Sequence, residues 1–169
     1  MIFFIGMPGS GKSFWASTLA TACELPFIDL DAYLEEKVQM TIAEYFDAHG
    51  EEAFREKERE ILEEVITTKE KNYVVACGGG TPAFFDNLQK MKNAGCTVYL
   101  HADMSMIVQR LAHSPTRRPL LEGKDINSAL TELYDQRNPF FSQADYIFDV
   151  ENISVANFEK IIPTCLDRL

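Results

Sequence analysis

Five residues, Met1-Ile2-Phe3-Phe4-Ile5, run straight into Gly6-Met7-Pro8-Gly9-Ser10-Gly11-Lys12-Ser13, and no other stretch narrows the possible folds so far. An apolar run this brief, closed by Gly6, reads as a strand buried on both faces in a parallel sheet. From Lys12 the pattern turns helical, with Phe14, Leu19 and Ala20 among small residues. The link fits G-x-x-x-x-G-K-[ST] and stands between a strand and a helix, the context that pattern requires. Glycines let backbone N–H groups curl around an anion, and a helix N-terminus adds positive potential behind them. Gly9, Ser10 and Gly11 would cradle phosphates, Lys12 would reach the β and γ phosphates, and the Ser13 hydroxyl would ligate Mg²⁺. A plain glycine-rich turn is the alternative.

The rest of the chain alternates in the same way. "LPFIDLD" reads as a second strand over about Leu25–Asp29, followed by helices at "YLEEKV" and "TIAEYFDAHG", the latter stopped by Gly50. A charged helix spans about Glu51–Thr68 with Phe54, Ile61, Leu62, Val65 and Ile66 on its buried side. "YVVAC" is a third strand, ended by Gly78-Gly79-Gly80, and "TPAFFDNLQKMKNAG" a helix with Pro82 in its first turn. "CTVYL", a helix over "ADMSMIVQRLA", an irregular Pro- and Arg-rich stretch, a helix over "INSALTELYDQRNPFFSQA", the strand "DYIFDV" and "SVANFEKIIPTCL" complete the chain. Repeated strand–helix units predict an α/β fold of three layers, with helices on both faces of a five-stranded parallel sheet. Ligands in such folds gather at the carboxyl ends of the strands. The loop after Gly6, Asp29–Asp31 and the triple glycine should therefore share one crevice.

At 169 residues the chain should form one domain, 1–169. A net charge of −10 argues against nucleic acid as a partner. No apolar run is long enough to span a membrane and no basic leader precedes the first strand, so a cytoplasmic protein is expected. Cys23, Cys77, Cys96 and Cys165 form no C-x-x-C pair and are expected to be small buried hydrophobes, neither zinc ligands nor disulfides. His49, His101 and His113 lack metal-ligand spacing and default to surface or capping roles.

Asp29 and Asp31 lie two apart at a strand end, so period two points both side chains the same way, into the phosphate site. One could meet a metal and the other an acceptor hydroxyl; as turn residues, one would cap the following helix. Arg55 and Arg137 offer planar forks suited to a carboxylate. Read singly, Arg55 is better explained by a solvated ion pair with Glu58 or Glu51, whose loss would barely change stability. Arg137 has Asp135 and Glu132 nearby for the same purpose.

Taken together, these residues resemble the shikimate kinase family, small kinases related to the nucleoside monophosphate kinases. The resemblance rests on the phosphate loop, D-x-D at Asp29 and Asp31, F-R-x-x-E as Phe54, Arg55 and Glu58, Gly78–Gly80, "RPLL" at Arg118–Leu121, and "RNPFFSQA" with Arg137. It implies the strand order 2-3-1-4-5 and transfer of the γ-phosphoryl group of ATP to the 3-hydroxyl of shikimate, in aromatic amino acid biosynthesis. Asp31, Arg55, Gly78, Gly79, Gly80 and Arg137 would bind shikimate, with Asp31 on the accepting hydroxyl. Ser13 would ligate Mg²⁺ directly and Asp29 through water. Lys12 and Arg118 would contact ATP phosphates. A helical segment of about 31–62 would hold the acceptor, and a lid of about 113–124, bracketed by Pro115 and Gly123, would close over both substrates. A monomer is expected. A related kinase acting on gluconate or a nucleoside monophosphate, or a nucleotide-binding regulator without turnover, are the alternatives.

The chain departs from the family pattern at three places, of which Gln39 lies in the helical insert and the other two concern the nucleotide. Phe14 follows Ser13 where Thr or Ser is usual, which alters contacts to the α-phosphate. Gln39 replaces a common glycine. The stretch after the fifth strand lacks the basic residue and proline often found against adenine, and Ile153 holds the nearest matching position. Arg110 could stack on the base, or serve only as a helix-surface residue.

Overall fold

The computed structural model describes residues 1–68, 72–114 and 116–166. Five strands, β1 (Ile2–Ile5), β2 (Phe27–Asp29), β3 (Val74–Ala76), β4 (Cys96–His101) and β5 (Tyr146–Asp149), form one sheet in the order β2-β3-β1-β4-β5. Every neighbouring pair is parallel. The unbroken apolar run of β1 explains its central place: Phe3 lies between Val75 and Thr97, and all four β1 residues are buried. The edge strand β5 alternates instead, leaving Ile147 largely exposed.

Helices cover both faces of the sheet. They are α1 (Lys12–Ala22), α2 (Leu30–Val38), α3 (Ile42–Thr68), α4 (Asn87–Ala94), α5 (Met104–Ala112), α6 (Ile126–Phe141), α7 (Val155–Glu159) and α8 (Ile162–Leu166). Helix α3 is two helical stretches joined at Gly50, whose φ of 79° and ψ of 174° interrupt the helix where the sequence predicts a stop. The core closes around aromatic side chains, with Phe158 of α7 meeting Phe4 of β1 edge-on at 5.3 Å and Phe148 of β5 at 5.0 Å.

Two expectations are corrected here. The helix expected from Thr81 begins only at Asn87, because Thr81–Ala83 form a single 3₁₀ turn, Phe84 is extended and Phe85 has φ 52°. Cys96 and Cys165 form a disulfide rather than remaining unpaired, with Cα atoms 5.3 Å apart. The pairing joins the start of β4 to α8 across 69 residues of sequence, a proximity that spacing along the chain does not reveal. Cys23 and Cys77 are free. Among the described residues no group of three or more His, Cys, Asp or Glu could hold a metal ion, and no helix is long and apolar enough to cross a membrane.

Candidate active site

The site forms where β1, β2 and β3 end. After β1 the chain turns through Gly6–Gly11 into α1, with Gly9 at φ 81° and Gly11 at φ 93°, left-handed backbone that suits glycine. Lys12 is buried, and its Nζ donates to the Met7 carbonyl at 2.9 Å. Burial pushes the Lys12 ammonium down to about 8, against the opposing pull of Asp31. Ser10 is buried with its hydroxyl unpartnered. Ser13 is exposed and its Oγ donates to Asp29 Oδ2 at 2.5 Å.

Asp29 caps α2, as the turn reading of the sequence allows, and also faces the phosphate loop. One oxygen faces Ser13, and the other caps α2, accepting from the backbone N–H groups of Asp31 at 3.0 Å and Ala32 at 3.3 Å. The period-two argument for Asp31 is corrected, because β2 ends at Asp29 and Asp31 sits in the first turn of α2. It reaches the same crevice through the helix turn rather than the strand pleat. Burial raises the Asp31 carboxyl to about 7, helped by the negative charges of Glu58 and Asp29 and resisted by Lys12 and Arg118. Gly78 lies against this group: a Cβ there would stand 2.7 Å from Asp31 Oδ1 and 2.5 Å from Glu58 Oε1. No side chain fits between those two carboxylates.

Two cavities open on either side of Asp31. One, of about 540 Å³, is lined by the phosphate loop, Phe14, Trp15, Arg110 and Val150. The other, of about 710 Å³, is lined by residues of α2 and α3, by Gly78–Gly80, by Thr116–Leu121 and by Arg137. Pro8, Asp31, Gly79 and Arg118 line both. They stand at the junction. Arg118 is half-buried, its Nε has no hydrogen-bond partner, and burial lowers its pKa.

Arg55 contradicts the solvated reading. It is 5% exposed, donates to Glu58 at 2.9 Å and to Glu51 at 3.0 and 3.2 Å, and its guanidinium lies 4.3 Å from the Phe84 ring centroid. Glu58 is also buried, and its other oxygen accepts from Thr81 Oγ1 at 2.5 Å. The ion pair exists as the sequence allows, but inside the protein, where removing one partner is costly. Gly80 gives the guanidinium room, since a Cβ there would fall 2.6 Å from Arg55 Nη1. Arg137 is 4% exposed and makes no side-chain hydrogen bond or ion pair among the described residues. Burial and the neighbouring Arg55 charge lower it to about 10. A buried, unpartnered guanidinium facing a cavity suits an anion.

In the cavity beside the phosphate loop, Arg110 is exposed and donates to the Gly9 carbonyl at 3.0 Å. Ile153 is packed against the core and is not among the residues lining this cavity; Val150 supplies the wall from that region. Pro115, one bracket of the expected lid, lies outside the described residues. Glu58, which the sequence offers as a surface partner of Arg55, and Thr81 and Phe84, to which the sequence assigns no role, hold Arg55 in place. The i,i+3 spacing of Arg55 and Glu58 was the available signal for their pairing, and nothing in it indicated burial.

The comparisons agree with one another. The family model for shikimate kinase matches residues 8–169. A curated shikimate kinase from Bacteroides thetaiotaomicron is 37% identical over 155 residues, covering 90% of this chain and 87% of its own. A crystal structure of shikimate kinase from the same organism superposes with a TM-score of 0.87 at 35% identity, covering 96% of this chain and 97% of its own. The shikimate kinase of Acinetobacter baumannii, solved in complex with shikimate, gives 0.86 at 28% identity, covering 96% and 90%. With the strand order, the phosphate loop and two cavities meeting at Asp31 already in view, these matches lead to one conclusion: the chain belongs to the shikimate kinase family.

Proposed function

We propose that the protein transfers the γ-phosphoryl group of ATP to the 3-hydroxyl of shikimate, and that the two cavities hold the two substrates. The observation that carries this reading is the junction. Asp31 and Arg118 border both cavities, so a phosphoryl donor in one and a hydroxyl in the other would meet beside them. Phosphoryl transfer asks mainly for positioning and charge neutralisation, and the residues are suited to both. The loop N–H groups of Gly9, Ser10 and Gly11 and the Lys12 ammonium would hold the phosphates. Lys12 would exchange its contact with the Met7 carbonyl for the β and γ oxygens. Arg118, with an unpartnered Nε, would turn its fork to the transferring group. Asp31 would orient the acceptor hydroxyl and take its proton at Oδ1 or Oδ2 as the bond to phosphorus forms. A carboxyl raised to about 7 suits that exchange near neutral pH.

The acceptor carboxylate would be held by Arg137, which has no internal partner, and by Arg55, presented by Glu51 and Glu58. Gly78–Gly80 would let the ring approach the backbone, since side chains there would collide with Asp31, Glu58, Pro8 and Arg55. The donor set at the loop fits Mg²⁺. A hydroxyl and a carboxylate in contact, Ser13 and Asp29, are hard oxygen ligands that leave most coordination positions for phosphates and water. Bound there, Mg²⁺ would offset negative charge on the phosphates, with Ser13 as a direct ligand and Asp29 acting through water. Residues 113–124 would serve as a lid that excludes water, supported by Ser114 and Arg118 on the nucleotide cavity and Thr116–Leu121 on the acceptor cavity. The acceptor segment would be about 31–62 of a single domain. A monomer fits the scatter of Phe14, Phe27, Phe85 and Ile147, the large exposed apolar side chains, over separate elements. A charge of −10 fits the absence of a nucleic-acid partner, and use of ATP fits a cytoplasmic location.

A coupled assay offering shikimate, gluconate and AMP, each with Mg·ATP, tests the reading. Turnover of shikimate alone, abolished by EDTA, is the expected result. Robust turnover of gluconate or AMP without shikimate would overturn it.

A further inference from the structure

The chain between the triple glycine and α4 is irregular where the sequence predicts a helix, and its shape delivers two side chains to Arg55. Thr81–Ala83 form a 3₁₀ turn, with the Ala83 N–H donating to the Gly80 carbonyl at 2.9 Å. Asn87, buried at the start of α4, donates from Nδ2 to the Thr81 carbonyl at 2.9 Å and pins the turn. Phe84 is extended and Phe85 takes φ 52°, a left-handed angle that a bulky side chain rarely adopts and that costs free energy. The two rings then part. Phe85 is 50% exposed, whereas Phe84 lies with its ring centroid 4.3 Å from the Arg55 guanidinium. Thr81 is fully buried, and its Oγ1 donates to Glu58 Oε1 at 2.5 Å while Glu58 Oε2 accepts from Arg55 Nη1 at 2.9 Å. Gly78 leaves room for this link, since a Cβ there would stand 2.9 Å from Thr81 Oγ1. Neither Thr81 nor Phe84 is among the residues lining the acceptor cavity, so their effect on an acceptor must pass through Glu58 and Arg55.

We propose that Thr81 is a positioning residue for the acceptor: its hydroxyl holds Glu58, and together with the Phe84 ring it sets the plane of the Arg55 guanidinium toward the acceptor carboxylate. A planar fork gains its two parallel bonds to a carboxylate only when its plane is fixed. Without the Thr81 donor, Glu58 Oε1 would be a buried carboxylate oxygen left unsatisfied. The carboxylate would turn to find another donor and carry the Arg55 fork with it. The Phe84 ring limits the guanidinium over its face, by a cation–π contact that leaves the N–H groups free to donate.

This inference rests on the acceptor reading of the cavity, and the experiment separates the two. Thr81→Val keeps the shape and removes the hydroxyl, and Thr81→Ser keeps the hydroxyl. Shikimate and ADP are titrated into the parent and both variants, and kcat and the shikimate KM are measured with saturating Mg·ATP. In Thr81→Val the shikimate Kd and KM should rise roughly 5- to 50-fold, with kcat and the ADP Kd within about twofold of parental values. Thr81→Ser should bring both shikimate constants back close to the parent. A residue that served folding alone would lower kcat with the active fraction and leave KM unmoved. That pattern, or parental shikimate affinity in Thr81→Val, would overturn the positioning role. Should Thr81→Val fail to fold, Phe84→Leu removes the ring without orphaning a polar atom. It should raise the shikimate KM roughly 3- to 10-fold at an unchanged kcat, and a parental KM there would overturn the role. Failure of the parent itself to bind shikimate would overturn the acceptor reading and the role together.

Discussion

The two halves of the site are built from different materials. The half around the phosphate loop is made largely of backbone, a loop whose glycines take left-handed angles and whose buried cation, Lys12, donates to a carbonyl. The acceptor half is made of side chains. Arg55, Glu58, Thr81 and Arg137 are all buried, and three of them are joined by hydrogen bonds. A backbone site depends on few side chains and tolerates change at most positions, whereas a site of buried charges ties binding to folding. Arg55 and Arg137 differ in this respect within one cavity. Arg55 has partners to lose, and Arg137 has none among the described residues.

The largest effect is expected at the junction. Asp31→Asn keeps size and hydrogen bonding but removes the proposed base, which should lower kcat by about 10²–10⁴ while ADP still binds. A variant with the parental rate would make Asp31 a structural residue only. The same group sets a pH limb. With its carboxyl raised to about 7, kcat/KM for shikimate should fall as pH drops below about 7, and a rate profile should lose that limb in Asp31→Asn. Stability carries the opposite sign. Between the ordinary carboxyl range near 4 and about 7, the folded protein holds a proton that the unfolded chain has released. Asp31 should therefore favour folding most at acid pH and progressively less as pH rises through about 7. Melting temperatures of parent and Asp31→Asn across that window test the sign.

Arg55 sharpens the comparison between halves. Arg55→Ala should raise the shikimate KM roughly ten- to hundred-fold through loss of a charge-assisted contact. It should also leave Glu58 buried with only Thr81, a loss of about 3 kcal/mol or more, lowering Tm by about 6 °C or more in a chain of this size. A raised KM with an unmoved Tm would mean that the buried pair contributes nothing to folding. The smallest effect is expected in the segment 113–124, the proposed lid. Arg117 bridges Asp47 of α3 and Glu122, but all three side chains are exposed, so Asp47→Asn should leave Tm and kcat near parental values. A large loss of turnover there would show that the exposed bridge governs closure.

How much of this was readable in the chain follows the same division. The phosphate loop was legible because its function lies in backbone shape, which Gly6, Gly9 and Gly11 announce locally, and the apolar run of β1 announced the centre of the sheet. Asp31 was correctly placed in the crevice for an incorrect reason, because the switch from strand to helix fell one residue after Asp29. The burial of Arg55 is hidden by its neighbours, since Glu56, Lys57, Arg59 and Glu60 make the helix look solvated while Phe84 and Gly80, distant in sequence, pack against the guanidinium. The Cys96–Cys165 link and the packing of Ile153 against the core are likewise products of tertiary packing.

Arg137 isolates the central claim, that one cavity recognises a carboxylate through buried guanidinium groups while the other recognises phosphate independently. Arg137→Lys keeps the charge, breaks no hydrogen bond within the described residues, and removes the planar fork. Calorimetric titration of shikimate and of ADP into parent and variant, with Tm measured on both, is the direct test. The expected result is a shikimate Kd weakened roughly ten- to hundred-fold, with ADP affinity and Tm nearly unchanged. Unchanged shikimate affinity, or equal losses for shikimate and ADP, would contradict it.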